Sequence, residues 1–272
     1  MTSGFVQTFK KTMPAPVVEG ARVLWNYLQL APGWPEAQFH PLRRESIRRL
    51  AAFKDLHRGE RCFIIGNGPS LKNTDLTRLI RENTFGMNRF YLAFPELGFT
   101  TTYYLSMNEL VIEQCAEDIR ALPIPKFLSW HSHKHIQPTG SMQFLYSTYI
   151  APKFARDVRG RLWEGATVTY VALQLAYFMG FKQVILIGVD HNFTTQGKPN
   201  TTVVSQGDDP NHFHPGYFGK GFRWQLPDLE TSERAYRMAR EAYAKDGREV
   251  LDATVGGKLT VFPKVEYNSL FP

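Results

Sequence analysis

Cysteine is nearly absent. Cys62 and Cys115 are the only two in 272 residues, too few for a disulfide framework or a zinc knuckle. Long apolar runs are missing too, and none approaches the roughly 20 residues that a bilayer-spanning helix needs. Met1-Thr2-Ser3-Gly4-Phe5 is followed by no signal-peptide pattern. We therefore expect a soluble cytoplasmic protein. There is no G-x-x-x-x-G-K-[ST], which argues against a P-loop nucleotidase. A dinucleotide fingerprint is also incomplete. Leu71 stands where its third glycine belongs, and the predicted second strand, Thr84-Phe85-Gly86-Met87, ends in Asn88 instead of an acid. NAD is not expected.

What is present points to a packed enzyme-sized domain. Apolar residues make up 43% of the chain and charged residues 21%, a balance that allows a sizeable core. The net charge of +7 favours anionic partners such as phosphates, acidic glycans or an anionic membrane surface. Basic residues are scattered apart from Leu42-Arg43-Arg44-Glu45-Ser46-Ile47-Arg48-Arg49. No nucleic-acid motif accompanies them, so nucleic acid is not an expected partner.

The most informative stretch is Cys62-Phe63-Ile64-Ile65-Gly66-Asn67-Gly68-Pro69-Ser70-Leu71. It reads as an apolar strand ending in a small-residue turn. Gly66 and Gly68 let the backbone turn tightly and approach a ligand. Pro69 and Ser70 can start a helix whose free N–H groups suit a phosphate. The plainer alternative is a strand-to-helix connection with no ligand.

From Arg61 onward, strand and helix patterns alternate, which predicts an α/β fold with a Rossmann-like, mostly parallel sheet flanked by helices. Predicted strands are 62–65, 84–87, 101–106, 126–130, 184–187 and 249–251, with another across 143–149. Predicted helices are 75–81, 109–121, 167–179 and 229–244, and Gly180 suits a C-cap. We expect an N-terminal helical extension over residues 1–58 and the Rossmann-like domain over 59–272. The extension contains helical patterns at Val17–Leu30 and Ser46–Leu56, separated by Gly33, Pro35 and Pro41. We expect a cap packed on the core; a basic amphipathic surface for peripheral membrane or partner docking is the alternative. The stretch from His191 to Pro227, rich in Gly, Pro, Asn, Asp and His, predicts a long lid-like loop.

In an open α/β sheet, ligands bind outside the C-terminal strand ends. Asn67, Asn88, Asn108 and Asp190 follow four predicted strands. A carboxamide both donates and accepts, so such residues can read a base edge, a ribose or a phosphate. Each is also a plausible local cap, Asn108 above all. Thr167, in Glu164-Gly165-Ala166-Thr167-Val168-Thr169, can open a second helix toward a phosphate or act as an ordinary N-cap. His212 and His214 fall in the long loop, where a histidine can serve as general base. A metal reading would combine Asp190, His191, His212 and His214 with Asp208 or Asp209. His131, His133 and His135 alternate, so in an extended chain they would share one side.

Together these residues resemble the bacterial sialyltransferases with a G-N-G-P-S-L opening. They also resemble the MptE-like family, which includes archaeal 6-hydroxymethyl-dihydropterin diphosphokinases and domains of motility accessory factors that glycosylate flagellin. The similar blocks are Phe63–Leu71 with Asp75 and Leu79, Phe85–Phe90, Thr102–Asn108, Thr167–Asp190 and, loosely, the His212 region. The resemblance to the sialyltransferases implies inverting transfer from a CMP-activated acidic sugar to a glycan hydroxyl, with no required metal. Asn67, Asn88, Asn108 and Asp190 would hold the nucleotide, with Gly66, Gly68, Ser70 and Thr167 near its phosphate. His212 would be the base and His214 its reserve. One departure is Asn192, where those enzymes place a tyrosine near the leaving phosphate; Tyr217, Lys220 or Arg223 would have to replace it. Two other functions remain open: a pterin diphosphokinase using ATP and magnesium, and a non-catalytic nucleotide-binding protein of a glycan-assembly system. The expected partners are a nucleotide-activated sugar and a glycan acceptor, with a homo-oligomer left open.

Overall fold

The computed structural model describes residues 31–195, 197–207 and 209–272, preceded by 18, 20, 21, 24, 25, 28 and 29. The chain falls into two compact units, Met1–His40 and Pro41–Pro272. In the first, the described residues between 18 and 29 are helical; the rest of the predicted helix Val17–Leu30 lies outside the described residues. A short helix, α1 (Trp34–Phe39), follows with Pro35 in its first turn. There a missing N–H removes no helical hydrogen bond, so Pro35 begins a helix instead of breaking one.

Residues 41–58, which the sequence assigns to the extension, lie in the second unit. Helix α2 spans Pro41–Leu50 and ends in a single 3-10 turn, Ala51–Phe53. This differs from the predicted helix over 46–56. The buried face of α2 carries Arg43, Ser46 and Leu50, and apolar periodicity cannot register its polar members. Ser46 Oγ accepts from the Phe144 backbone N–H at 3.0 Å, which ties the helix to the sheet edge.

The sheet strands are β1 (Arg61–Ile65), β2 (Asn83–Met87), β3 (Tyr103–Ser106), β4 (Lys126–Ser129) and β5 (Met142–Leu145). A small parallel pair, β6 (Ser147–Thr148) and β7 (Leu162–Trp163), follows. Next come β8 (Gln183–Ile187), β9 (Thr202–Val204), β10 (Arg223–Gln225) and β11 (Glu249–Asp252). The main sheet has seven strands in the order β11-β8-β1-β2-β3-β4-β5, and every neighbouring pair is parallel. Chain direction across the sheet reverses between β1 and β8. Such a switch point leaves a crevice outside the strand ends.

The remaining helices are α3 (Phe94–Leu97), α4 (Glu109–Gln114), α5 (Ala116–Ala121), α6 (Val168–Met179) and α7 (Leu229–Lys245). The predicted helix 109–121 breaks at Cys115, and 75–81 is a 3-10 turn, Leu76–Leu79, capped by Asp75. Both faces of the sheet are covered, as a parallel sheet requires. Along β1, Cys62 and Ile64 enter one apolar cluster with α6, while Phe63 and Ile65 enter another with Leu71, Leu79 and Tyr267. Every residue of α6 from Thr169 to Met179 is buried, so this helix forms the centre of the larger cluster. Gly180 ends it at φ +94°, where a Cβ would stand 3.0 Å from Asp55 Cα.

The stretch 191–227 is more ordered than a free loop. Strands β9 and β10 pair antiparallel within it. Tyr217, Phe218, Trp224 and Leu226 bury one face against Val111 of α4.

Candidate functional site

The glycine turn after β1 is clasped to the turn after β8. Gly66 N–H donates to Ile187 O at 2.7 Å and Gly68 N–H to Gly188 O at 2.9 Å. A Cβ on Gly66 would stand 2.2 Å from Gly188 O, and one on Gly68 would stand 1.9 Å from Asp190 Oδ2. The glycines are therefore demanded by the neighbouring chain. Ser70 then gives its N–H to Asp190 Oδ1 (3.1 Å) and its Oγ–H to Asp190 Oδ2 (2.6 Å). This corrects the expectation of a phosphate at that point: the Asp190 carboxylate already takes these donors. The turn that follows, Pro69–Asn73, is a 3-10 helix of five residues, and Ser70 is buried away from the cleft wall.

A cleft of about 760 Å³ opens at the switch point, within the range of small-molecule sites. Gly66, Asn67, Gly68, Asn88, Asn108, Thr167, Asp190 and His212 are among the residues that line it. Asn67 Nδ2 donates to Met87 O at 3.1 Å, while its buried Oδ1 has no partner among the described residues. Such an orphaned acceptor suits a ligand donor. Asn88 sits at φ +50°, a region asparagine tolerates better than most residues, and its Oδ1 accepts from Ser106 Oγ at 3.0 Å. Asn108 is the N-cap of α4, its Oδ1 accepting from Leu110 N (2.9 Å) and Val111 N (3.3 Å). Capping fixes its side chain and leaves Nδ2 as the group it can offer.

The N-terminus of α6 also opens onto the cleft through Ala166, Thr167, Val168 and Thr169. Gly165 (φ +60°) and Ala166 (φ +58°) turn the chain sharply before it. Thr167 Oγ1 caps Thr169 N and meets Tyr236 Oη of α7 at 3.2 Å. The positive end of a three-turn helix favours a negative ligand group.

The two loop histidines differ. His212 lines the cleft, its side chain 12% exposed. Its Nδ1 meets the buried Asp209 carboxylate at 2.8 and 2.9 Å, and its ring stacks on Tyr217 with centroids 4.0 Å apart. With Asp209 accepting, the proton sits on Nδ1 and Nε2 is the basic nitrogen. His214 stands outside the cleft wall, and its Nδ1 accepts from Gly216 N–H at 3.1 Å. The metal set does not converge. His191 pairs with Glu233 at 3.1 Å and Asp190 is held by Ser70. Among the described residues no three His, Cys, Asp or Glu side chains gather to hold a metal; Asp208 lies outside them. His131 and His133 do not share a side, because 130–132 is a 3-10 turn: His131 Nε2 meets Ser147 O, and His133 stacks on Trp130. Of the three groups offered for the leaving phosphate, Tyr217 lines the cleft, whereas Lys220 and Arg223 do not. Burial pushes the Tyr217 hydroxyl well up, so it stays a neutral phenol.

Three cleft features escape the sequence reading. Asp209 orients His212 from three residues away, a role the sequence reading does not give it, since it enters there only as an alternative to Asp208 in the metal set. Tyr236 reaches Thr167 from a distant helix. Glu164 lines the cleft at 8% exposure. Burial, opposed by the Ser147 hydroxyl and helped by the charge of Glu109, pushes its carboxyl up to about 7.

Fold and site define a Rossmann-like α/β protein with a polar cleft at its switch point. The family profile described as 6-hydroxymethylpterin diphosphokinase MptE-like matches residues 40–196, more than half of the chain, and the chain belongs to that MptE-like family. Among curated proteins none matches. Among solved structures it is similar to the MAf glycosyltransferase from Magnetospirillum magneticum AMB-1, with 14% identity and a TM-score of 0.49. That alignment covers 95% of this chain and 43% of the other, so the chain spans less than half the length of that solved chain. Among the described residues no helix is long and apolar enough to cross a membrane.

Proposed function

We propose that the protein is an inverting glycosyltransferase that takes an acidic sugar from a CMP-activated donor to a glycan hydroxyl. The observation that carries this reading is the meeting, in one cleft, of Asn67, Asn88 and Asn108, the α6 N-terminus and the His212–Asp209 pair. His212 Nε2 takes the proton of the acceptor hydroxyl, whose oxygen then bonds to the anomeric carbon. The bond from that carbon to the phosphate oxygen breaks, and its electron pair leaves with the nucleotide. Asp209 holds the imidazole in the basic tautomer and stabilises the imidazolium. The α6 N-terminus favours the charge gathering on the departing phosphate.

The family description also names diphosphokinase chemistry, which would need magnesium and ATP. Each oxygen of Asp190, which both readings would use, already accepts from Ser70, so the choice between them falls to ligand and metal dependence. A thermal-shift panel of CMP, CDP, UDP, GDP, ATP and AMP with and without magnesium separates the two. We expect stabilisation by CMP independent of magnesium; a response to ATP with magnesium alone would overturn the transferase. With a CMP-sugar donor, His212→Ala is expected to lose at least about 100-fold in kcat while still binding CMP. His214→Ala is expected to stay near the parent rate.

A further inference from the structure

Glu164 is a buried carboxyl that the proposed chemistry leaves without a task. The parallel pairing of β6 with β7 sets Ser147 opposite Leu162 and so brings the Ser147 hydroxyl to Glu164, donating to Oε1 at 2.5 Å. Oε2 makes no hydrogen bond among the described residues, yet Glu164 forms part of the cleft wall. Its own carbonyl accepts from Thr167 N–H at 3.3 Å, so it belongs to the turn that opens α6 onto the cleft.

The charged and titratable groups packed around it do not supply a counter-charge. Glu109, at the start of α4, lines the same cleft and acts on Glu164 as a like charge. Tyr149 shares the wall and donates to Glu109 Oε1 at 3.3 Å. His131 is engaged with Ser147 O through Nε2, at 2.9 Å. Burial, helped by the second carboxylate and opposed by the Ser147 donor, favours the protonated form of Glu164, and a Ser147 donor on Oε1 leaves that proton for Oε2.

We propose that Glu164 reads the anionic part of the donor: as a neutral acid, its Oε2–H donates to a negatively charged oxygen of the nucleotide sugar beside the α6 N-terminus. This rests on the nucleotide-sugar reading of the cleft. The chemistry is shared by two sources, the phosphate and a carboxylate on the sugar. An ionised glutamate at this place would repel either, so proton retention and ligand binding support one another. Ligand affinity should then fall about tenfold per pH unit above neutrality.

The test uses the full chain labelled with carbon-13 at glutamate carboxyls, the Glu164 resonance being assigned by its absence in Glu164→Gln. We expect that resonance to titrate near neutrality in the free protein and at higher pH when CMP or CMP-N-acetylneuraminate is bound. An effect of CMP assigns the phosphate as the partner; an effect of the CMP-sugar alone assigns the carboxylate. Calorimetry should show Glu164→Gln, which keeps a donor, binding with little pH dependence, and Glu164→Ala binding about tenfold more weakly at neutral pH. Titration in the ordinary glutamate range, or one indifferent to both bound ligands, overturns the inference and leaves the transferase reading standing. Failure of any nucleotide to bind overturns the transferase reading and this inference with it.

Discussion

At Gly68 a single added carbon would collide with the Asp190 carboxylate at 1.9 Å. The clasp it would disturb holds Ser70 to both Asp190 oxygens. Gly68→Ala is accordingly expected to lower unfolding stability by at least about 2 kcal/mol, measured by urea denaturation; an unchanged midpoint would refute the clasp. Glu164 supplies the pH-dependent counterpart. Its folded value of about 7 lies above the ordinary 4.5, so the folded state holds a proton that the unfolded state releases. Its contribution is full below about pH 4.5 and is lost as pH rises to about 7, by up to about 3 kcal/mol. Stability of the parent minus that of Glu164→Gln should fall across that window, and a flat difference would refute the burial argument. The asparagines were legible because each follows an apolar strand, a pattern local in sequence. Glu164 was not, because its burial depends on Ser147, reached through a strand pairing that no local pattern reports.

Among elements, α2 shows where periodicity misleads. Its buried face includes Arg43, fully inside, with Nη2 donating to Arg159 O at 2.6 Å and with Nε and Nη1 unpartnered among the described residues. Burial pushes this guanidinium down to about 10. Replacing an incompletely paired buried charge by an apolar side chain of similar length is often neutral or stabilising. Arg43→Met is therefore expected to melt within about 1 kcal/mol of the parent or above it; a loss beyond about 2 kcal/mol would show the guanidinium to be a necessary tie. Strands β1 to β4, β8 and β11 and helix α6 were readable to within two residues, most of them apolar runs closed by Gly, Asn or a cap, whereas the strand expected over 143–149 is two, β5 and β6, and β7 was not expected. The start of α2 was hidden by a proline mistaken for a break and by polar residues on its inner side. The hairpin of β9 and β10 was hidden in a stretch whose composition spoke only of turns.

At the scale of the molecule, the seven-stranded sheet, both apolar layers and the cleft wall all lie within 41–272. A fragment beginning at Pro41 is expected to unfold in a single cooperative transition and to bind nucleotide with the affinity of the whole chain, as read by near-ultraviolet circular dichroism and calorimetry. A fragment lacking that cooperativity would mean that residues 1–40 complete the fold. Strand-helix alternation made the α/β architecture legible from Arg61 onward. The earlier start of the compact unit was not legible, because it depends on α2 docking against β5.

The fastening between the first and the eighth strands also bears on how relatives are to be sorted. Gly66, Gly68, Ser70 and Asp190 are mutually required by mechanical fit, whatever reaction the cleft performs. Grouping chains by that signature alone therefore sorts them by a packing requirement and not by a reaction. Positions 164, 209 and 212 are better labels, because nothing in the fastening obliges them to be glutamate, aspartate and histidine.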